Sequence, residues 1–250
     1  MDHMIYTAMT GARQAMQRQD VNSSNLSNVD TNGFKGHMTA ARAVPVQGGG
    51  LATRTITAET TPGTDMAEGT LEETGRELDV AIRGDGWLAV DGPDGEAYTR
   101  NGDLQLDANG RMTVQGNPVL DQNGQEIVLP VNAELSIARD GTISSIPPGG
   151  TADTMAPVGR LKLAESSLQG MQRQDNGLFT AKPNDQGVVV SLDSSDDVHI
   201  QSGVIESSNV SAIESMITMI ENSRSFEMNM QGIKSADDNA QRANELLNVS

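Results

Sequence analysis

Large apolar residues near the start of the chain recur at steps of three or four residues, the spacing of one helix face. The pattern predicts an amphipathic helix from Met4 to near Thr31. Gly33 suits the left-handed position that closes such a helix, with Phe34 folding back on Val29 as in a Schellman cap. The residues on the predicted apolar face are Ile5, Met9, Ala12, Met16, Leu26 and Val29.

Asn and Ser dominate the second half of this predicted helix, between residues 21 and 32. Both are weak helix formers, so one interpretation is a frayed or irregular segment. In the other interpretation, Asn22, Asn25 and Asn28 form hydrogen bonds between helices and fix their register, as a buried polar residue does in a coiled coil.

A second, longer helix is predicted from Ser211, whose spacing to Glu214 is that of a capping box, to about Leu247. A helix of about 37 residues would be about 55 Å long, which is hard to bury within one domain. Its length favours a coiled coil or an assembly helix in which Met makes adaptable contacts, and ordinary core packing of the Met residues is the alternative. The apolar stripe comprises Met219, Phe226, Met230, Ile233, Ala240 and Leu247.

Between the two helices the pattern changes to short β-prone runs separated by Asn-Gly and Asp-Gly turns. These runs predict an all-β domain of hairpin-connected strands. They cover residues 78–82, 87–90, 97–99, 104–106, 112–114, 127–129, 135–138, 142–146, 158–164, 178–181, 188–190 and 198–205.

The predicted fold class is therefore α+β. Long N- and C-terminal helices form a coiled-coil-like stalk, and an all-β domain is inserted between them. We expect residues 1–34 to form the first helix, 35–77 an extended connector rich in Thr, Gly and Ala, 78–209 the β domain, and 210–250 the second helix.

Composition changes how these helices are interpreted. Leu, Val, Ile and Phe make up 51 of the 250 residues, a share at which chains tend towards disorder. The net charge is −17, but residues 1–40 are neutral and residues 210–250 carry −3, so −14 lies in the predicted β domain and connector. Nearly neutral ends with apolar stripes suggest packing surfaces, whereas the acidic balance argues against a nucleic-acid partner.

Candidate chemistry is sparse. The run Gly84-Asp85-Gly86-Trp87-Leu88-Ala89 matches a dinucleotide fingerprint, but a strand and a turn follow it where a helix is needed, so a hairpin is predicted. The three His residues lie in separate segments without a second ligand nearby, and the chain has no Cys. We therefore expect no catalytic residues, metal, cofactor or small-molecule substrate.

Targeting signals are also missing from the pattern. No run of 18 apolar residues occurs, and the first residues lack the basic flank and apolar stretch of a secretory signal. If the chain leaves the cytoplasm, we expect it to use another route.

Motifs at both ends resemble those of the axial proteins of the bacterial flagellum. Ser24–Val29 followed by Thr31–Lys35 resembles the family's N-N-L-A-N and T-x-G-F-K motif, with Ser24 and Ser27 in place of Asn and Ala. Residues 78–87 and 98–102 resemble the start of the family's β domain, and residues 204–228 its C-terminal helix. The resemblance covers nearly the whole chain.

The resemblance implies a non-enzymatic subunit of the flagellar rod, exported unfolded by the flagellar type III export apparatus without signal cleavage. Its terminal helices would line the tube in the periplasm, and its partners would be copies of itself and other rod proteins, including the distal rod protein. The short connector is more similar to that of proximal than of distal rod subunits, which are the alternative. The interface residues expected are Ile5, Met9, Met16, Asn25, Leu26, Asn28, Val29, Gly33, Phe34, Ile213, Met219, Ile220, Phe226, Met230, Ile233 and Leu247.

A function of another class is a secreted oligomeric module whose β domain binds polysaccharide. Carbohydrate platforms use exposed aromatic faces, and Trp87 is the only Trp of the chain. The composition therefore disfavours this alternative.

Overall fold

A computed structural model describes residues 2–39, 41–45, 55–59, 63–130, 133–147, 155–167, 170–184 and 189–248. The described fold has a long helix near each end and many short strands between them, so the predicted α+β class is confirmed at this level. The helices are α1, Asp2–Ser27, and α2, Ala212–Asn248.

The strands are short and form several small sheets. In chain order they are β1 His37–Met38, β2 Ala41–Pro45, β3 Thr55–Glu59, β4 Gly63–Thr64, β5 Leu71–Glu73, β6 Val80–Ile82, β7 Gly86–Gly92, β8 Gly95–Thr99, β9 Gln105–Leu106, β10 Met112–Val114, β11 Asn117–Pro118, β12 Glu134–Ile137, β13 Thr142–Ile146, β14 Ala156–Arg160, β15 Leu163–Glu165, β16 Met171–Arg173, β17 Phe179–Ala181, β18 Ile200–Ser202 and β19 Val204–Glu206.

The start of α2 lies where the sequence predicts it. The Ser211 hydroxyl accepts a hydrogen bond from the Glu214 amide at 3.4 Å, which satisfies one of the free donors of the first turn. The predicted end of α1 is wrong, because the helix stops at Ser27 rather than near Thr31. Gly33 does adopt a left-handed φ of 66°, but its amide donates to the Glu206 carbonyl instead of closing the helix.

The largest sheet has five antiparallel strands in the order β15-β7-β8-β17-β16. Strand β7 is buried on both faces because its side chains alternate between two apolar clusters. Leu88 and Val90 point into the larger cluster, and Trp87 and Ala89 into the smaller. Burial on both faces explains why this strand is a continuous apolar run in the sequence.

Some predicted strands differ from the observed ones. The predicted run 127–129 has one isolated bridge, at Val128, and is not a strand. The run 198–205 is divided at Gly203, whose φ of 75° ends one strand and starts the next. In the run 188–190, residue 188 lies outside the described residues and the other two are not in a strand.

The segment predicted as a connector, 35–77, contains the five strands β1 to β5 in its described parts. Strand β1 pairs with β4 and β2 with β3, whereas β5 pairs with β19 near the end of the β-rich region. Residues 46–54, part of the same predicted connector, lie outside the described residues.

The chain forms two compact units. The helix unit comprises Met1–Val29, Lys35–Asp65 and Val210–Ser250, and therefore contains both helices and the strands β1 to β4. The β unit comprises Asp30–Phe34 and Met66–Asn209.

Candidate assembly surface

The two helices of the helix unit pack against each other in antiparallel directions through small residues. The Asn22 Nδ2 donates to the Ser215 carbonyl at 2.6 Å, whereas Gly11 lies against Asn229 near the other end of the pair. A Cβ atom added at Gly11 would lie 2.5 Å from the Asn229 Oδ1. A side chain at Gly11 would therefore have to displace the Asn229 side chain.

The least exposed residues of both helices alternate at steps of three and four, which is the heptad spacing of coiled coils. Most of them are Ala, Ser or Asn rather than large apolar residues. On α1 the series is Ile5, Ala8, Ala12, Ala15, Gln19, Asn22 and Leu26, and on α2 it is Ala212, Ser215, Met219, Asn222, Phe226, Asn229, Ile233, Ala236, Ala240 and Ala243.

Most of the large apolar residues of the pair point to solvent instead. Each of them is between 45% and 74% exposed, although together they would form an ample core. Clusters of exposed large apolar residues are typical of interaction sites, so these helices are the candidate surface. These exposed residues are Tyr6, Met9, Met16, Ile213, Met216, Ile217, Ile220, Met228 and Met230.

A groove of about 250 Å³ opens between α1 and α2 near the middle of the pair. Two of its polar side-chain atoms, the Gln19 Oε1 and the Asn222 Nδ2, have no hydrogen-bond partner within the described chain. Asn222 is 7% exposed, so leaving its donor without a partner lowers the stability of the helix pair. The residues lining the groove are Ala15, Met16, Gln19, Asp20, Asn222, Ser223, Phe226 and Glu227.

The predicted interface residues of the helices fall into two groups. Ile5, Leu26, Met219, Phe226 and Ile233 are half-buried and belong to the heptad series. The outward-facing group is Met9, Met16, Ile213, Ile220 and Met230. Val29 is half-buried in the turn after α1, and the side chain of Leu247 lies outside the described part of α2.

The three Asn residues of α1 have different roles. Asn22 forms a hydrogen bond between the helices, as one of the two interpretations predicts. Asn25 instead holds the backbone of His37, donating to its carbonyl at 2.9 Å and accepting from its amide at 2.7 Å. Asn28 donates to the Ser24 carbonyl at 2.8 Å. Because the helix continues to Ser27, most of the Asn- and Ser-rich run is helical rather than frayed.

Gly33 and Phe34 are packed within the β unit of the same chain. The Gly33 backbone runs so close to Arg100 that an added Cβ would overlap the Arg100 carbonyl group. The Phe34 ring is buried, and the Arg173 guanidinium lies 4.5 Å above its centre. Their role in a subunit interface stays a prediction, but the structure gives both residues a role inside the subunit.

Beside this motif lies a buried ion pair between Arg100 and Glu206, 3.3 Å apart. Arg100 also donates to the carbonyls of Ile82, Gly84 and Gly86, at 3.1, 2.6 and 2.9 Å. The other Glu206 oxygen accepts from the Gly69 amide at 2.9 Å. Both charges are therefore compensated, which is the condition for burying them.

Sequence reasoning named Ala12, Asn22 and Ala240 but missed the other small residues of the helix contact. It also missed the outward residues Tyr6, Met216, Ile217 and Met228. A signal for the contact was present, since Ala8, Ala12 and Ala15 follow the heptad spacing. No local signal could have paired Arg100 with Glu206, because 106 residues separate them.

A further polar cluster ties the segment around Ser191 to the sheet of the β unit. Lys162 lies 2.7 Å from Glu96, and Ser191 and Tyr98 each donate to Glu96 at 2.6 Å. Burial and the bond to Glu96 raise the pKa of the Tyr98 phenol, so it stays protonated. The Tyr98 oxygen accepts from the Leu192 amide at 2.6 Å. The cluster therefore attaches the segment around Ser191 to the sheet.

Other kinds of site find no support in the part of the chain that the structure describes. Among those residues no three His, Asp or Glu side chains converge in a way that could hold a metal ion. Neither α1 nor α2 is long and apolar enough to cross a bilayer. The helix pair with its uncovered apolar face is the feature that remains.

Comparison with known families matches three parts of the chain. The family described as "Flagella basal body rod protein" matches residues 5–35, which cover α1 and the Gly33 motif. "Flagellar hook protein FlgE/F/G D1 domain" matches residues 81–145, within the β unit. "Flagellar basal body rod FlgEFG protein C-terminal" matches residues 201–246, which include most of α2.

Relatives that match over their full length show to which of these flagellar families the chain belongs. The chain is 49% identical to "Flagellar basal-body rod protein FlgF" of Escherichia coli and 50% identical to the protein of that name from Salmonella typhimurium, with all of both chains covered. The chain belongs to the FlgF family of flagellar basal-body rod proteins. "Flagellar basal-body rod protein FlgG" of Bacillus subtilis is more distant, at 31% identity over 98% of each chain.

Membership of the FlgF family makes the chain a structural subunit of the flagellar rod, located in the basal body. This confirms the function that the terminal motifs suggest. FlgG, the alternative, is thus the more distant relative of the two.

Proposed function

We propose that this rod subunit assembles through its helix unit, whose outward apolar face is covered by neighbouring subunits. The observation that carries the proposal is the exposure of nine large apolar residues on two helices that contact each other through small ones. Burying such side chains stabilises an interface by about 1.5–3 kcal/mol each when the burial is complete. Assembly would thus supply the core that the single subunit lacks.

The helix pair then acts as a coiled-coil-like stalk. The heptad spacing and the antiparallel contact between α1 and α2 support this proposal. The division into 1–34, 35–77, 78–209 and 210–250 is the corresponding functional one, in which the first and last segments build the tube. All sixteen predicted interface residues remain candidates, with Met9, Met16, Ile213, Ile220 and Met230 supported by their exposure.

The partners proposed are further copies of the chain, other rod proteins such as the distal rod protein, and the flagellar type III export apparatus. We further propose a periplasmic position and export without a cleaved signal, which the resemblance to flagellar axial proteins implies. A structural role without catalysis fits the family names, which describe rod and hook components.

The test removes Val210–Ser250 in cells that lack the chromosomal copy. This deletion takes away α2 but leaves every segment of the β unit in place. We expect the truncated chain to be absent from purified basal bodies and the cells not to swim. Trp87, the only Trp, lies in the β unit, so its fluorescence checks that this unit still folds.

A point variant guards against a general folding defect. Ile220→Asp places a charge on the outward face, and Ser235→Asp places the same charge at an exposed position of α2 outside it. We expect the first variant to reduce incorporation and the second to leave it unchanged. Normal swimming of cells that carry only the truncated chain would contradict the proposal.

A further inference from the structure

Methionine makes up most of the apolar surface that the two helices expose. In the described parts of α1 and α2, five of the nine exposed large apolar side chains are Met, and each of the five is between 45% and 66% exposed. Met112 and Met171, by contrast, belong to the apolar clusters of the β unit and are at most 4% exposed. The five exposed helix methionines are Met9, Met16, Met216, Met228 and Met230.

The thioether of Met is the group of this chain that reacts most readily with hydroperoxides. The chain has no Cys, so no thiol competes for a two-electron oxidant. The sulfur lone pair attacks one peroxide oxygen, and the O–O bond breaks as the S–O bond forms. The leaving hydroxide takes up the proton of the transferred oxygen and departs as water. Sulfur is oxidised, the peroxide is reduced, and the products are methionine sulfoxide and water.

Exposure decides which of these thioethers can react. A buried thioether meets an oxidant only when the fold around it opens, and opening is rare in a packed core. Met112 and Met171 are protected in this way, whereas the helix methionines are accessible without any opening. Met38 of β1 and Met155 of the β unit are exposed as well, but neither lies on a helix.

Oxidation changes the character of the helix surface. The thioether is apolar and adapts its shape to a neighbouring surface, whereas the sulfoxide is polar and chiral. A sulfoxide oxygen that is buried without a hydrogen-bond donor destabilises the contact in which it lies. A subunit with oxidised helix methionines therefore has a surface that is no longer suited to burial.

Resting on the assembly role proposed above, we infer that the helix methionines are oxidation sites of the unassembled subunit and that their sulfoxides keep it out of the rod. In a subunit that is already assembled, the same surface is covered, so a hydroperoxide acts on free copies. The block is reversible, because methionine sulfoxide reductases restore the thioether. In that step a dithiol supplies two electrons and becomes a disulfide, and the oxygen leaves as water.

The first measurement maps oxidation in the purified, folded chain. Hydrogen peroxide is added, and peptide mass spectrometry follows the sulfoxide fraction of each Met over time. We expect the helix methionines to react at about the rate of Met155, and Met112 and Met171 at least about tenfold more slowly. This difference should vanish in urea. Equal rates at all positions of the folded chain, or slow reaction of the helix methionines, would overturn the inference.

Two variants of the full chain separate the polarity of the sulfoxide from the mere loss of Met. The Leu variant carries Met→Leu at all five helix methionines, and Leu is apolar, similar in volume and inert to peroxide. The Gln variant carries Met→Gln at the same positions. Gln is polar like the sulfoxide and is a good helix former. Circular dichroism at 222 nm checks that both variants keep their helices.

Incorporation is measured in purified basal bodies from cells that lack the chromosomal copy. Without peroxide, we expect the Leu variant to be present at the wild-type level and the Gln variant at least about tenfold less, because five polar groups would have to be buried. Met155→Gln is the matched control. It changes an exposed Met of the β unit and should leave incorporation unchanged.

Hydrogen peroxide added while rods are being built tests the inference in cells. We expect it to lower the wild-type chain in basal bodies about two- to fivefold relative to the Leu variant, which has no thioether on its helix surface to oxidise. Sulfoxide at the helix methionines should accumulate in the wild-type chain outside the basal bodies. Equal losses of the wild-type chain and the Leu variant would overturn the inference.

The inference and the proposed function fail in different ways. Equal incorporation of the Gln and Leu variants without peroxide would refute the proposed function, because the helix surface would then not be buried in the rod. If the Gln variant is excluded but peroxide leaves the helix methionines reduced, the assembly role stands and the oxidation sites are refuted.

Discussion

The two units of this subunit place their large apolar residues in opposite ways. In the β unit, strand β7 buries Trp87 and Leu88 completely, on its two faces. In the helix unit, the buried contact residues include Ala12, Ala15 and Ala236, whereas Ile213 is 74% exposed. The β unit thus completes its own core, and the helix unit has a surface that is complete only in contact with something else.

Two buried polar side chains, Arg100 of the β unit and Asn222 of the helix unit, differ in their hydrogen bonding. The buried guanidinium of Arg100 donates to three carbonyls and to Glu206. In the helix unit the donor of Asn222, equally removed from solvent, has no partner within the described chain. A fully paired network specifies one structure, whereas an unpaired donor weakens the contact in which it lies. The Arg100 network therefore fixes the structure around it, whereas Asn222 weakens the helix contact.

The largest effect is expected from Arg100→Ala. The change removes the buried cation that pairs with Glu206 and donates to three carbonyls, so we expect a loss of about 3–5 kcal/mol in the free energy of unfolding. Urea unfolding followed by Trp87 fluorescence measures this loss. The control is Arg83→Ala, which removes an exposed hydrogen bond to Gln201 and should change the value by less than about 0.5 kcal/mol. A loss below about 1 kcal/mol for Arg100→Ala would contradict the prediction.

Two apolar truncations, one in each unit, test directly whether the two units differ in their cores. Leu88→Ala creates a cavity in the larger cluster and should destabilise the β unit by about 2–5 kcal/mol. Ile220→Ala, at a side chain that is 56% exposed, should leave unfolding unchanged within about 0.5 kcal/mol. The same urea experiment measures the first, and far-UV circular dichroism the second. Equal losses in both variants would show that the helix unit has a core of its own.

Asn222→Leu should stabilise the helix unit, by about 1–2 kcal/mol, because it removes a buried donor that has no partner. The groove beside Asn222 offers room for the new side chain. Asn22→Leu is the matched control, since Asn22 is equally buried but bonded to Ser215, and it should be destabilising. Helix melting at 222 nm distinguishes the two, and destabilisation by Asn222→Leu would be the unexpected result.

The smallest effect concerns pH. Burial raises the pKa of the Glu96 carboxyl, but hydrogen bonds from Lys162, Ser191 and Tyr98 outweigh it and hold the pKa below its ordinary value. A carboxyl with a lowered pKa in the folded state stabilises the fold above its unfolded pKa of about 4.3, and this stabilisation is lost as the pH falls through the folded pKa.

Glu96→Gln should therefore cost about 1 kcal/mol at pH 7, and the difference from wild type should shrink below about pH 4.3. Unfolding curves of both proteins between pH 7 and 3 provide the measurement. A difference that is constant over this range would assign the loss to packing rather than to charge.

Much of the fold follows from local sequence patterns. The position of Ser211 three residues before Glu214 predicts the start of α2, and the turn-separated apolar runs predict most strands of the β unit. The end of α1 was not predictable in this way, because Gly33 adopts its left-handed φ for a contact with Arg100, 67 positions later in the chain. Long-range contacts of this kind leave no mark on local periodicity.

The helix contact shows a second limit. Weighting large apolar residues places Met9 and Met16 on the same face as Ala12, but the structure turns Ala12 inward and both Met residues outward. Small residues allow the two helix axes to approach closely, so here they mark the inner face. Hydrophobicity alone cannot separate a face that packs within the subunit from one that meets a neighbour.

The pairing of β5 with β19 and of β6 with β18 has a consequence for the order in which this subunit can mature. Together these pairs join residues 71–82 to residues 200–206. Neither β5 nor β6 can therefore pair before the chain beyond residue 199 has appeared. A chain that emerges N-terminus first can form α1 at once. It can complete its β unit only when four-fifths of its length has appeared, because the partner strands β18 and β19 begin at Ile200. Closing so long a loop also costs entropy before the strand contacts form. The β unit therefore closes late, whereas all the residues of α1 are present once residue 27 has appeared.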